Sequence, residues 1–317
     1  MFALCIESSH ARGMGHFYRA LNLADGLKQA GFGCKFYLND HKPSLAILSD
    51  TGYAHEVVNL EDYASSWEKT VIERDLIKCW VNDRHSTDTR HSARVKASAI
   101  PLITFDDRGS GASLADMHIA ALAFDPHEKL GGAKVLCGAE YLVLNPQILN
   151  YTRVRKRLSS ILVTLGGSDT YGVTVKAVQM LSAMNFPVTV VIGPAFMHNT
   201  MLEKVLTDQF TLKRCVPSII EEFSKHDLAI TGGGITPFEA NASGLPCIVI
   251  ANELFEIPVG VKLQRQGGAI FAGHHEALHL PLFNADLPLE QMSLAGMRSI
   301  GLEGTSRVIK AMLELLE

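Results

Sequence analysis

Short apolar runs along the chain alternate with longer stretches in which apolar residues recur at helical spacing. Phe2–Glu7 reads as a strand, and 16–30 as a helix ending at Gly31. Cys34–Leu38, Ile77–Val81 and Pro101–Phe105 read as further strands, with helical stretches near 62–76 and 87–98 between strands. A polar, basic stretch follows, Asn150–Ser160, holding Arg153, Arg155, Lys156 and Arg157. After it the rhythm starts again. Strands are predicted at Ile161–Leu165, Val188–Ile192, Asp227–Thr231 and Pro246–Ala251. Helices are predicted over 173–184 and near 236–243, and a last helix over roughly 303–316. Strands alternating with helices imply parallel sheets covered by helices, an α/β architecture.

The pattern therefore predicts two Rossmann-like halves, 1–150 and 151–317, with the final helix packing back on the first. Ligands of such sheets bind beyond the carboxyl ends of the strands, which points to a cleft where the two sheets face each other. Composition narrows the possibilities. The chain has 317 residues, 47% of them hydrophobic and 20% charged, enough for two cores. Its 29 basic and 33 acidic residues give a net charge of −4, without the basic footprint of a general nucleic-acid binder. No apolar run approaches the roughly 18 residues of a membrane span. Met1–Ile6 lacks a basic leader and reads as a first strand, so a cytoplasmic protein is expected. Cysteines at 5, 34, 79, 137, 215 and 247 form no C-x-x-C pair and are expected to be buried free thiols.

Three glycine turns after strands hold the candidate chemistry. The first runs from Ser8 through Arg12-Gly13-Met14-Gly15-His16 to Arg19. Gly13-x-Gly15 resembles the opening of a dinucleotide fingerprint, but Tyr18 stands where the third glycine belongs. His16 falls at a helix N-terminus, where the dipole disfavours imidazolium and keeps a general base neutral. A capping or packing role for His16 is the alternative. The second turn, Gly166-Gly167-Ser168-Asp169, offers N–H groups and a hydroxyl to a ligand, or a helix cap through Asp169 or Thr170. The third, Gly232-Gly233-Gly234-Ile235-Thr236-Pro237-Phe238-Glu239, combines free N–H groups with a helix start and reads as an anion site. Thr236 and Glu239 also have capping-box spacing.

Other polar residues cluster at predicted strand ends. These are Asn82-Asp83-Arg84-His85, Asp106-Asp107 and Asn252-Glu253. His274-His275-Glu276 with His279 has the composition of a metal cluster but reads as a solvated surface, and no metal or cofactor is expected. There is no Walker loop and no G-x-S-x-G elbow in the sequence.

Taken together, several of these segments resemble a known family. They are Ser8-Ser9 through Gly13-x-Gly15-His16-x-x-Arg19, Thr104-Phe105-Asp106-Asp107, Thr164-Leu165-Gly166-Gly167-Ser168-Asp169, Gly233-Gly234-Ile235-Thr236-x-x-Glu239, and Gly244-x-Pro246 with Asn252. The sequence is similar to the PseG-like UDP-sugar hydrolases of the pseudaminic acid pathway and to the SpsG family of spore-coat polysaccharide synthesis. Both are related to MurG-type glycosyltransferases of the GT-B fold. The resemblance implies metal-independent release of UDP from an activated 2,4-diacetamido-2,4,6-trideoxy sugar. It also implies a catalytic His16, supported by Asp83 and His85, and a UDP site at Gly233, Gly234, Ile235, Thr236 and Glu239. Arg12, Gly13, Gly15, Arg19, Asp106, Asp107, Gly167, Ser168, Asp169, Asn252 and Glu253 complete the implied substrate contacts. Two departures stand out. The family's Asp-His-Tyr is Asp83-Arg84-His85 here, and its Asn-Gln is Asn252-Glu253; both bear on which sugar is recognised. A monomer or weak homodimer is expected. A glycosyltransferase on the same scaffold and a non-catalytic nucleotide-sugar binder remain the alternatives.

Overall fold

The computed structural model describes residues 1–11, 13–125, 127–278 and 287–317. They divide into two units, Met1–Leu144 with Glu303–Glu317, and Asn145–Leu302.

In the first unit the chain runs β1 (Phe2–Ile6), α1 (Gly15–Gln29), β2 (Cys34–Leu38), α2 (Lys42–Thr51), β3 (His55–Val57) and α3 (Trp67–Arg74). It continues through β4 (Cys79–Asp83), α4 (Thr89–Ala97), β5 (Leu102–Phe105), β6 (Met117–Ala120) and β7 (Lys134–Cys137). The strands form one parallel sheet in the order β3-β2-β1-β4-β5-β6-β7. β1 is buried along its whole length, as expected of a central strand covered on both faces. Strand alternation sorts the side chains of β4. Trp80 and Asn82 share one face, where the Trp80 ring stacks on Tyr37 with centroids 5.7 Å apart and its Nε1–H donates to Asn82 Oδ1 (2.8 Å). Asp83 points to the other face, toward α1, where Arg19 and His16 reach it.

The second unit runs β8 (Ile161–Thr164), α5 (Val173–Leu181), β9 (Val188–Ile192), α6 (Asn199–Glu203), β10 (Phe210–Arg214), α7 (Ile219–Ser224) and β11 (Leu228–Gly232). Then come α8 (Thr236–Ala242), β12 (Cys247–Ala251), α9 (Ile257–Arg265), β13 (Ala269–His274) and α10 (Leu289–Ser299). Its parallel sheet has the order β10-β9-β8-β11-β12-β13. Ile161, Val163, Val190, Ile230 and Ile248 of the sheet pack with Val178 and Leu181 of α5.

The last helix, α11 (Gly304–Glu314), belongs to the first unit. Two glycines mark its close packing, Gly304 against backbone and Gly26 against the tip of a side chain. A Cβ on Gly304 would lie 2.0 Å from the Leu142 carbonyl oxygen, and one on Gly26 in α1 would lie 2.6 Å from Ile309. The division between units falls after Leu144, ahead of the basic stretch. Within that stretch Lys156 and Arg157 are exposed, but Arg155 is fully buried. Its guanidinium donates to the carbonyls of Arg153 (2.6 Å), Phe223 (2.6 Å), His226 (3.3 Å) and Ser243, tying the ends of α7 and α8 together.

All six cysteines are free; beside a half-buried Cys34, two are exposed rather than buried, Cys137 and Cys215. Each sits at or just past the end of an edge strand. Among the described residues, no helix is long and apolar enough to cross a membrane.

Candidate functional site

In both sheets the strand order reverses next to the first strand of the unit, between β1 and β4 and between β8 and β11. Such switch points leave a crevice at the carboxyl ends of the strands. The candidate residues gather there, one group in each unit.

In the first unit, β1 ends and the chain turns through Gly13, at φ 74°, into α1. His16 is the second residue of that helix. Its Nδ1 lies 2.6 Å from Asp83 Oδ1 at the end of β4. Arg19, one turn further along α1, donates from Nε to Asp83 Oδ2 (2.8 Å) and from Nη2 to Asp83 Oδ1 (2.5 Å). Its Nη1 donates to Asp106 Oδ2. The Arg19 guanidinium lies over the Phe105 ring, 5.1 Å from its centroid. Burial works against the Arg19 charge, but Asp83 and Asp106 outweigh it and hold Arg19 protonated beyond its usual range. Burial likewise pushes the Asp83 carboxyl up, and the ion pair with Arg19 and the bond to His16 bring it below its usual value. Asp83 is therefore an ionised acceptor, and the proton of a neutral His16 sits on Nδ1. That leaves Nε2 with a lone pair. The side chain of His16 is 17% exposed against 3% for Asp83, so the imidazole reaches solvent while its partner does not. This is the arrangement of an oriented general base.

Arg19 was expected to bind substrate, but its three guanidinium nitrogens are engaged by carboxylates. Its place is to hold Asp83. Asp106, at φ 44°, links Arg19 to the β6 end, where its Oδ1 accepts from Leu122 N–H (2.8 Å). Asp107 turns elsewhere, accepting from the N–H groups of Thr87 (2.9 Å) and Gly109 (2.8 Å). The two adjacent carboxylates thus face different partners. Gly15 opens α1, and a Cβ there would meet nothing within 4 Å. His85 is half-buried beyond β4, with its carbonyl accepting from Arg108 N–H (2.9 Å). Arg12 lies outside the described residues.

In the second unit, Gly166 at φ 88° begins the turn after β8. Gly167 lies against Gly193, where a Cβ would come within 2.4 Å of the Gly167 carbonyl oxygen. Ser168 is buried. Asp169 uses both carboxylate oxygens on the start of α5, accepting from Val173 and Thr174 N–H (2.8 Å each). Of its two sequence readings, the cap is the one its contacts display.

The glycine run after β11 leads into α8, a helix of only seven residues. Thr236 is its first residue, with Ile235 before it, and no side chain caps the helix, so the Thr236–Glu239 capping box does not form. Thr236 and Glu239 are thus released from each other. Burial pushes the Glu239 carboxyl up to about 7, against a backbone N–H bond from Asn145. A Cβ on Gly234 would meet nothing within 4 Å, so its backbone is open to a ligand. Gly233 is covered instead by Glu256, whose Cβ would stand 2.6 Å from a Cβ on the glycine.

Sequence reasoning missed Glu256 and Tyr171, because the groups they bond, Gly233 and Glu253, lie in other segments of the chain. Glu256 Oε2 accepts from Asn252 N–H (2.7 Å) and Gly233 N–H (3.3 Å). The Tyr171 hydroxyl donates to Glu253 Oε1 (2.7 Å). The ring of Tyr171 stacks on His275 with centroids 4.2 Å apart, so His275 is a buried packing partner and no solvated residue. His279 lies outside the described residues. Among the described residues, no group of three His, Cys, Asp or Glu side chains is placed to share a metal ion.

No protein-family model matches the chain. It is 25% identical over 276 residues to an uncharacterised protein of Methanocaldococcus jannaschii, covering 80% of this chain but only 56% of that protein. It is 24% identical over 282 residues to the spore coat polysaccharide biosynthesis protein SpsG of Bacillus subtilis, covering 84% of this chain and 82% of SpsG. Among solved structures it is similar to MurG of Acinetobacter baumannii (TM-score 0.65, 13% identity, 99% of each chain). It is also similar to a putative UDP-N-acetylglucosamine 2-epimerase of Listeria monocytogenes (TM-score 0.61, 13% identity, 98% and 95% of the two chains). These likenesses establish the fold: two Rossmann-like units with parallel sheets of seven and six strands, as in GT-B glycosyltransferases such as MurG.

Proposed function

We propose that the protein is a nucleotide-sugar hydrolase of the SpsG and PseG type that releases UDP from a UDP-activated diacetamido-trideoxy sugar. The observation that carries this reading is the His16–Asp83 pair, a solvent-reaching imidazole oriented by a buried, ionised carboxylate. His16 Nε2 takes a proton from water as the water oxygen bonds to the anomeric carbon. The bond from that carbon to the diphosphate oxygen breaks, and UDP leaves with the electron pair. Asp83, fixed by Arg19, stabilises the imidazolium that forms. In the second unit, the open backbone at Gly234 with Thr236 serves the diphosphate, and Glu239 the ribose hydroxyls. Backbone N–H groups there supply what lysines would otherwise supply, which fits a chain of net charge −4. The relationship to SpsG, a polysaccharide biosynthesis protein, supports a nucleotide-sugar substrate.

The MurG-like fold makes a glycosyltransferase the competing reading. UDP release measured over a panel of UDP-sugars, with and without acceptors, separates the two. Release without acceptor is expected, and strict acceptor dependence would overturn hydrolysis. His16→Ala should abolish turnover and leave UDP affinity within about twofold. Loss of UDP binding in that variant would contradict the role given to His16.

A further inference from the structure

We propose that Glu256 is an internal anion of the nucleotide site, occupying backbone N–H groups at the ends of β11 and β12, so that its charge opposes a diphosphate there. The inference rests on the reading of the second unit as the nucleotide site. It names a residue that sets how tightly that site holds its ligand.

The local chain places this carboxylate. A 3-10 turn over Leu254–Glu256 runs directly into α9, and Glu256 is the residue before the helix. The turn folds the side chain back over the strand ends, where Oε2 accepts from Asn252 N–H and Gly233 N–H. The backbone N–H of Glu253 adds a third bond. These donors come from the two loops beside the open backbone of Gly234. An incoming diphosphate would therefore meet N–H groups already turned toward an anion, and a negative charge among them. The absence of room for a Cβ at Gly233 is set by Glu256 rather than by a ligand.

The surroundings do not neutralise this charge. Glu253, in the same loop, is a second carboxylate, and it accepts from Tyr171 of the connection before α5. The hydrogen bond to Glu253 raises the Tyr171 phenol, so Tyr171 stays neutral. Behind it, His275 at the end of β13 is held below its usual value by burial and by the charges of His274 and Lys176. Lys176 itself donates to the His275 carbonyl (3.2 Å). Burial pushes the Glu256 carboxyl up to about 7, with the three N–H bonds opposing and Glu253 adding to the rise. Its charge thus changes across the neutral range.

The magnitude follows from the fraction of neutral Glu256. With a value of about 7, roughly nine-tenths is neutral at pH 6 and about one in eleven at pH 8. If the neutral form is the competent one, apparent affinity falls in proportion, about tenfold over that range. Glu256→Gln keeps the shape and an oxygen to accept the N–H bonds, but never carries charge. UDP also titrates in this range, so the comparison is between proteins at each pH. Calorimetric UDP binding to the full-length wild type, Glu256→Gln and Glu256→Ala at pH 6 and pH 8 tests the proposal, with thermal melts reporting folding. Glu256→Gln should match wild type at pH 6 and bind UDP about tenfold more tightly at pH 8, with Glu256→Ala shifting in the same direction. Equal or weaker binding by Glu256→Gln at pH 8 overturns the proposal alone and leaves Glu256 as a loop clamp. No UDP binding by any of the three at either pH overturns the nucleotide reading and the proposal with it.

Discussion

Asp83→Asn isolates the central pair with the least change of shape. The carboxylate accepts from His16 and twice from Arg19. Asparagine carries no charge, and whichever way its amide turns, the NH2 meets an Arg19 N–H, on Nε or on Nη2. With the NH2 toward Nη2 it also faces His16 Nδ1 and moves the imidazole proton to Nε2; in either placement the imidazolium that forms loses its countercharge. General-base catalysis contributes about 10²–10⁴-fold, or about 3–5 kcal/mol of barrier at about 1.4 kcal/mol per decade. Loss of that size is expected in kcat for UDP release. The variant should stay folded, because Asp106 still pairs with Arg19. The lost charge-assisted bonds cost on the order of 1–3 kcal/mol of stability. UDP affinity, assigned to the other unit, should change by less than about twofold. Turnover assays, calorimetric UDP binding and a denaturation curve on one preparation decide the matter. A kcat within about fivefold of wild type, in a folded protein, would refute the dyad.

Three further outcomes are expected. Glu239 holds its proton in the folded chain up to about 7 but releases it near 4.5 when unfolded. Its contribution to stability should therefore decline as pH rises from about 4.5 to 7 and stay level above. Urea midpoints at pH 5 and pH 8 should differ less in Glu239→Gln than in wild type, and an unchanged difference would count against this titration. Arg155→Met leaves several buried carbonyls without their donor and should cost on the order of 3–5 kcal/mol by chemical denaturation. Arg155→Lys should recover only part, because an ammonium cannot reproduce the planar fork. Gly193→Ala drives a methyl into the Gly167 backbone and should lower stability by about 2 kcal/mol or more, with weaker UDP binding as the β8 turn shifts.

The central strands and their glycine turns were legible because strands covered on both faces are written as uninterrupted apolar runs. Phe2–Ile6, Ile161–Thr164 and Cys247–Ala251 are such runs, and their limits were read to within a residue or two. The edge strands β3, β7, β10 and β13 escaped because their burial is partial, and the buried β6 because His118 interrupts its apolar run. α9 and α10 were missed for a related reason, since each buries only one stripe, α9 against β12 and β13 and α10 against α8. The site was half legible. His16 and Asp83 stand far apart in sequence, and only the adjacency of β1 and β4 brings them within 2.6 Å. Arg19 looks like an anion ligand in the sequence because nothing local reveals that Asp83 and Asp106 converge on it. Glu256 looks like any loop acid until the tight turn before α9 folds it over Gly233. Arg155 shows the same limit, since nothing in the basic stretch sets it apart from Lys156 and Arg157 until its carbonyl partners are known.

The claim that His16 activates water at the anomeric carbon is tested most directly by hydrolysis in ¹⁸O-labelled water, with mass analysis of both products. The label is expected in the anomeric hydroxyl of the released sugar, and absent from UDP, with His16→Ala producing neither product. Label in the terminal phosphate of UDP would place the attack at phosphorus and contradict the account.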